Sequence, residues 1–240
     1  MNWVHTPAWL RKAFPQLVWE IPTLEKEVYL TFDDGPTPEV TSQVLAFLWE
    51  YRAKATFFCQ GSKIEQNQGL VDDLKAAGHT IGNHGYRHVS GFTTSLKEYL
   101  DNARKGAEIS GSRMFRPPYG RITPWQIDRL KRNYPLVMWS IMSMDFNPNV
   151  SPAQCFHNVI KNMKPGAIIV FHDSEKARKN VLQVLPELLQ WMERNGYKAK
   201  PLEEGFWNDA SRLSPLIPTQ AERQGYFNPL FFTQFSLFPC

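Results

Sequence analysis

A parallel α/β barrel, closed or incomplete, is the fold that the sequence predicts, on three observations. Strand-like and helix-like segments alternate along the chain, about seven such units follow one another, and the polar residues with catalytic potential fall where the strands end.

The first unit is Glu27 to Phe32, a β-rich run that stops at Asp33-Asp34-Gly35-Pro36, followed by Val40, Val44, Leu45, Phe47 and Leu48 at helical spacing. The alternation recurs as strand Lys54 to Cys59, helix Ile64 to Ala77, strand His79 to Gly82, helix Ser95 to Ile109 and a strand around Met114 and Phe115. It continues with helix Pro124 to Arg132, strand Leu136 to Ile141, helix Pro152 to Met163, strand Ala167 to Phe171, helix Glu175 to Asn195 and a last strand near Tyr197. Crossover helices of about 10 to 15 residues between strands imply parallel pairing. Asp33, His84, Arg116, Asp145 and His172 each sit at or just past the C-terminal end of a strand, the face that carries the active site in β/α barrels. Residues 1–24 read as an N-terminal extension, 25–205 as the domain, and 206–240 as a tail rich in Phe, Pro and Gln without periodicity.

Composition narrows the function classes. Of 240 residues, 42% are hydrophobic and 21% charged, as in a chain that buries a sizeable core. The net charge of +4 comes from Lys and Arg scattered among nearly as many acids, which gives no nucleic-acid footprint. Cys59, Cys155 and Cys240 lie far apart without a Cys-x-x-Cys spacing, so neither a disulfide framework nor a cysteine metal site is indicated, and a reducing compartment is the simpler reading. Arg11, Lys12 and Pro15 interrupt the apolar residues at the N-terminus, and no apolar run reaches the roughly 20 residues of a membrane span. The expectation is a soluble, intracellular chain without a transmembrane segment.

Four motifs carry chemistry. Adjacent carboxylates at Asp33 and Asp34 repel unless a cation or a shared proton intervenes, although Asp-Gly-Pro is also ordinary turn chemistry. His84 and His88 are four residues apart, a spacing that a helical turn or a tight loop can aim at one ion, or that a surface loop shows by coincidence. Together with an Asp on a neighbouring strand end they supply two nitrogens and an oxygen, a common catalytic Zn²⁺ shell. In Arg116-Pro117-Pro118-Tyr119-Gly120 two prolines fix the backbone, and Arg116 is either a surface residue or a bidentate partner for a carboxylate. His172 ends the apolar run Ile168 to Phe171, as a satisfied core histidine or as a general acid at the reactive face.

Thr31 to Pro36, His84 with His88, Arg116 to Tyr119, and Val170 with His172 resemble, in order and approximate spacing, the motifs of polysaccharide deacetylases with the NodB homology domain, carbohydrate esterase family 4. The resemblance runs from about Glu27 to Leu202. It implies a distorted, incomplete (β/α) barrel of about seven strands, and hydrolysis of the acetamide of N-acetylglucosamine residues in a chitin-like or peptidoglycan-like substrate. The implied cofactor is a divalent metal, usually Zn²⁺, with Co²⁺, Ni²⁺ and Mn²⁺ as alternatives. It further implies Asp33 as general base, Asp34, His84 and His88 as metal ligands, Arg116 as the partner that orients the base, His172 as general acid, and Tyr119 as donor of its backbone N–H to the oxyanion. Val170 stands where a Leu lines the acetyl-methyl pocket, with Phe146 and Trp139 as further apolar walls.

One motif departs from the pattern. Where the family has Asp-x-x-Asp-Trp, this chain has Met142-Ser143-Met144-Asp145-Phe146. With the first acid taken as the one that tunes the catalytic imidazole, Asp145 remains but His172 is expected to titrate lower than in relatives, unless Asp145 or Ser140 takes over the contact. Two rival readings stay open: the same machinery acting on another small or lipid-linked amide, and a catalytically silent carbohydrate-binding protein. The glycan and the oligomeric state are not legible.

Overall fold

The computed structural model describes residues 3–207. Its centre is β1 (Glu27–Asp33), whose side chains alternate between two destinations because successive residues of a strand face opposite ways. Val28, Leu30 and Phe32 join the core beneath the helices, while Tyr29 joins a second core inside the barrel. Thr31 and Asp33 share the parity of Tyr29. That alternation delivers Asp33 to the inner face at the strand's end.

β1 pairs in parallel with β2 (Ala55–Cys59) on one side and β5 (Ile168–His172) on the other. β3 (Thr80–Asn83) flanks β2, and the short β4 (Ile141–Met142) flanks β5. β6 (Lys198–Ala199), near the expected last strand, pairs with Glu27 and Val28 below the start of the β1–β2 ladder. In register, Asp33 lies beside His172 of β5, so the two reactive strand ends are level.

From β3 the wall continues only through isolated bridges, Asn83 to Phe115 and Phe115 to Leu136. The strand expected around Met114 and Phe115 is therefore a single bridge, and the one expected over Leu136 to Ile141 forms a ladder only at its far end. Prolines explain the gap: Pro117, Pro118 and Pro135 lack the N–H that a ladder needs on either side of the Phe115 contact. The result is a distorted, incomplete barrel.

The helices are α1 (Ala8–Ala13), α2 (Pro38–Glu50), α3 (Gly61–Gln66), α4 (Gln68–Ala76), α5 (Leu96–Ser110), α6 (Pro124–Leu130), α7 (Pro152–Ile160) and α8 (Arg178–Arg194). The helix expected over Ile64 to Ala77 is two helices broken at Asn67, whose φ of −137° is not helical. No helix among the described residues is long and apolar enough to cross a membrane.

Residues ahead of the expected domain start do not stand apart from it. Val18 bridges to Val137 and Glu20 to Ala167, and Leu10, Leu17, Val18, Trp19 and Ile21 are buried with residues of the inner core. At the other end, Glu204 Oε1 accepts hydrogen bonds from Ser112 Oγ at 3.1 Å and Arg113 N–H at 2.8 Å, and Phe206 sets its ring at 88° to that of Tyr29. The rest of the expected tail, residues 208–240, lies outside the described residues.

Candidate active site

A cavity opens at the C-terminal ends of the strands, lined by Asp33, Asp34, His84, His88, Tyr119, Gly120, Trp139, Met142, Phe146, His172 and Lys176. Consecutive residues on a strand face opposite ways, yet Asp33 and Asp34 both reach it. The reason is a left-handed backbone at Asp34, φ 77°, which turns its carboxylate back toward the mouth; Asp tolerates this conformation better than most residues.

The loop carrying Asp34 is braced from two sides. Lys63 Nζ donates to the Asp34 carbonyl at 2.7 Å and Gln60 N–H donates to the Gly35 carbonyl at 3.0 Å. Below the loop, Asp173 Oδ2 accepts from Thr41 Oγ1 at 2.6 Å, and burial pushes the Asp173 carboxyl up to about 7. Gly35 is required here, because a Cβ at that position would lie 1.9 Å from the Asp173 carboxylate.

His84 and His88 occupy a tight loop rather than a helical turn, with Gly85 at φ 80°. The first amides of α3, Gly61 and Ser62, donate to the carbonyls of Gly85 and Tyr86, and Asn102 of α5 makes two side-chain hydrogen bonds to the backbone of Arg87. His84 Nδ1 lies 2.9 Å from the Arg116 carbonyl; this contact requires a proton on Nδ1 and leaves the Nε2 lone pair facing the cavity. The Nε2 atoms of His84 and His88 lie 3.5 and 2.9 Å from one Asp34 oxygen.

That oxygen, Asp34 Oδ1, is buried and accepts no well-formed hydrogen bond, and one ligand atom from each of the three residues falls within 4.8 Å of the others. Burial opposes the charge on Asp34, but the two imidazoles hold its carboxyl well below the usual carboxylate range. Two nitrogens and one carboxylate oxygen converging on an unsatisfied oxygen fit a divalent cation.

Arg116 is fully buried, and each group on its guanidinium is used. NH1 donates to Asp33 Oδ1 and Thr31 Oγ1, both at 2.7 Å, NH2 to the Met138 carbonyl at 3.0 Å and Nε to the Val137 carbonyl at 3.2 Å. Its Cζ lies over the Phe58 ring, 4.0 Å from the ring centre. Tyr119 has φ 59° and sets its ring edge against His88, with centroids 4.2 Å apart; Trp139 packs on Gly120, where a Cβ would come within 2.5 Å of the indole.

His172 Nδ1 donates to Asp145 Oδ1 at 2.8 Å, while the His172 backbone N–H donates to Asp145 Oδ2 at 2.7 Å. Ser143 Oγ also donates to Asp145 Oδ1, at 2.9 Å. Burial lowers the imidazole's affinity for a proton, but the charge and hydrogen bond of Asp145 outweigh it and raise the His172 pKa to about 9. The acid in contact with this imidazole is therefore Asp145, one of the two alternatives to the lost acid that the sequence left open. Ser140 is turned elsewhere, with its hydroxyl 3.4 Å from the Ile168 carbonyl.

Val170 is the expected pocket residue that the cavity does not include. It shares the parity of His172 but sits two residues earlier on β5, and Met142, its partner across the β4–β5 register, lines the cavity instead. Sequence reasoning missed Met142 as a wall, and missed Gly120 and Lys176. Lys176 follows His172 by four residues in the loop after β5, where a lone lysine gives little signal.

Residues 20–133 match the polysaccharide deacetylase family model. A peptidoglycan-N-acetylglucosamine deacetylase of Bacillus cereus is 33% identical over 197 residues, covering 78% of this chain and 92% of that protein. The peptidoglycan-N-acetylmuramic acid deacetylase PdaA of Bacillus subtilis is 29% identical over 204 residues, covering 81% and 76%. Among solved structures, the Bc1960 peptidoglycan N-acetylglucosamine deacetylase superposes with a TM-score of 0.75 at 30% identity, over 82% of this chain and 95% of that one. By this similarity, and by the fold it shares with them, the chain belongs to the polysaccharide deacetylases, the hydrolases of carbohydrate esterase family 4.

Proposed function

We propose that this chain is a metal-dependent hydrolase that removes the acetyl group from N-acetylglucosamine-type sugars of an oligo- or polysaccharide, releasing acetate. The observation that carries the reading is the convergence of a buried, Arg-paired Asp33, a cation-shaped triad and an Asp-paired His172 around one cavity.

Asp34, His84 and His88 would hold the metal, with Zn²⁺ favoured by a set of two imidazoles and one carboxylate. When bound, such an ion lowers the pKa of a water and polarises the acetamide carbonyl. Arg116 keeps Asp33 oriented, so that Asp33 can take a proton from the attacking water. Its second hydrogen bond, to Thr31, and the bonds to two carbonyls leave the guanidinium no freedom to follow a moving carboxylate. The Tyr119 N–H, on the wall beside His88, donates to the developing oxyanion. His172 is held with Nδ1 on Asp145 and Nε2 toward the cavity, and a proton on Nε2 goes to the departing amine. Trp139, Met142 and Phe146 form the apolar wall for the acetyl methyl and sugar face.

The test is acetate release by the metal-loaded chain from oligomers of N-acetylglucosamine, peptidoglycan fragments and monomeric N-acetyl sugars, with metal content measured on the same sample. Turnover of at least one glycan together with stoichiometric metal supports the reading. A folded, metal-loaded chain that releases no acetate from any of them refutes it.

A further inference from the structure

We infer that Asn180, which does not line the cavity, is a positioning residue for the proposed reaction: it holds the loop of residues 143–150 so that the Asp145 carboxylate meets His172. This rests on the deacetylase reading above and deepens it.

The loop leaves β4 at Ser143 and reaches α7 at Ser151 without forming a helix or a strand. Its path is not one that its own residues favour. Met144 stands at φ 68°, a left-handed conformation that a residue with a Cβ keeps only where surrounding contacts impose it. Two buried asparagines supply such contacts. Asn180 Nδ2, on α8, donates to the carbonyls of Asp145 at 2.9 Å and Val150 at 3.0 Å, and so bridges the start and the end of the loop. Asn158 Nδ2, on α7, donates to the Ser143 carbonyl at 3.1 Å, while its Oδ1 accepts from Gln154 Nε2 at 2.9 Å. The carbonyls on either side of Met144 are thus both held.

Asp145 is gripped at two ends. Its carboxylate accepts from the ring and the backbone of His172, and its carbonyl accepts from Asn180. Both partners come from one stretch of chain, since Asn180 follows His172 across the turn between β5 and α8. A leucine at 180 would take the donor from a buried carbonyl, a loss that favours moving the loop over leaving that oxygen unsatisfied. Carbonyl and carboxylate belong to the same residue, so the shift reaches the contact with His172. The proposed metal ligands Asp34, His84 and His88 stand on other loops and are untouched.

The experiment compares wild type, Asn180→Leu, Asp145→Asn and the double variant. In the metal-free protein, NMR titration of His172 should give a lower pKa in Asn180→Leu, because a displaced carboxylate supports the imidazolium less. In the loaded enzyme kcat should fall by about 10- to 100-fold at unchanged metal stoichiometry, with the alkaline limb of the rate profile at lower pH. A residue that acts through Asp145 has little left to act on once that carboxylate is gone, so adding Asn180→Leu to Asp145→Asn should cost less than about twofold more. A full further loss in that background, or an unchanged His172 titration in Asn180→Leu, would overturn the inference while leaving deacetylation intact. If Asn180→Leu does not fold, Asn180→Ala and Asn180→Ser carry the same comparison, and Ser, which keeps a donor, should be the less impaired. If wild type releases no acetate from any substrate, the deacetylase reading falls, and the titration alone decides whether Asn180 positions Asp145.

Discussion

Asp145 and His172 are joined twice, through the ring Nδ1 at 2.8 Å and through the backbone N–H at 2.7 Å. One carboxylate thereby fixes the imidazole's tautomer and its charge. In Asp145→Asn the burial of His172 would be opposed only by the smaller effects of the Asp34 and Asp33 charges, so its pKa should fall from about 9. NMR titration of the metal-free protein reads this directly. In the loaded enzyme the alkaline limb of the rate profile should move to lower pH, because a general acid works only when protonated, and the rate should drop by about 10²-fold. An unchanged titration would mean that another group sets the charge.

Asp33 and Asp34 should separate by readout. Asp33→Asn keeps the three ligand residues and should retain stoichiometric metal while losing about 10²-fold or more in kcat. Asp34→Ala should lose metal affinity first. Full activity in metal-loaded Asp33→Asn would remove the base assignment.

Arg116→Met should be costly to the fold as well as to the reaction. It leaves Asp33 buried without its cation, and three further acceptors lose a donor. Breaking a buried pair from one side costs about 3 to 5 kcal/mol, so urea unfolding should show a loss of that order. A midpoint within error of wild type would contradict the buried role.

Gly35→Ala should act on the metal rather than on overall stability. The new Cβ would overlap the Asp173 carboxylate and push on the loop that positions Asp34. Metal affinity should fall by about 10- to 100-fold, the range seen when a ligand's support is disturbed, with circular dichroism near wild type. Adding Asp173→Ala should recover part of the loss, since it empties the space the Cβ needs.

His79 gives a pH signature far from the cavity. Its Nδ1 accepts the Ala55 N–H at 3.1 Å, and burial lowers its pKa to about 4. Between about 6.5 and 4 the unfolded chain takes up a proton that the folded state refuses, so this contribution is present above pH 6.5 and is lost as pH falls. It amounts to about 3 kcal/mol at full extent. Denaturant titrations at pH 7 and pH 5 should show a smaller difference for His79→Gln than for wild type.

How much of this was legible follows from what each residue does. The alternation of strands and helices is written in apolar periodicity, and the site residues announced themselves because carboxylates and imidazoles at strand ends are conspicuous there. Bringing Asp33, His84 and His172 to one cavity required only that the strands be parallel and level, whereas Asp34, His88 and Tyr119 reach it through left-handed backbone at Asp34, Gly85 and Tyr119. The weak bridges at Phe115 were not legible, since a lone paired residue between prolines leaves a strand-like pattern without a ladder. The depth of Val170 was hidden for a related reason: parity tells inside from outside but not which layer of the inside meets water. The partner of His172 was misplaced because two acids three positions apart differ in where the loop puts them, and that loop has a left-handed residue at Met144, φ 68°, which nothing in the local composition announces.

Arg116 touches both halves of the reactive apparatus, its guanidinium on Asp33 and its own carbonyl on His84 Nδ1. The two contacts begin within a single residue, so the separation between Asp33 and His84, base and metal ligand in the proposed reaction, is tied in part to the covalent geometry of Arg116. A change at Arg116 therefore acts on both groups at once.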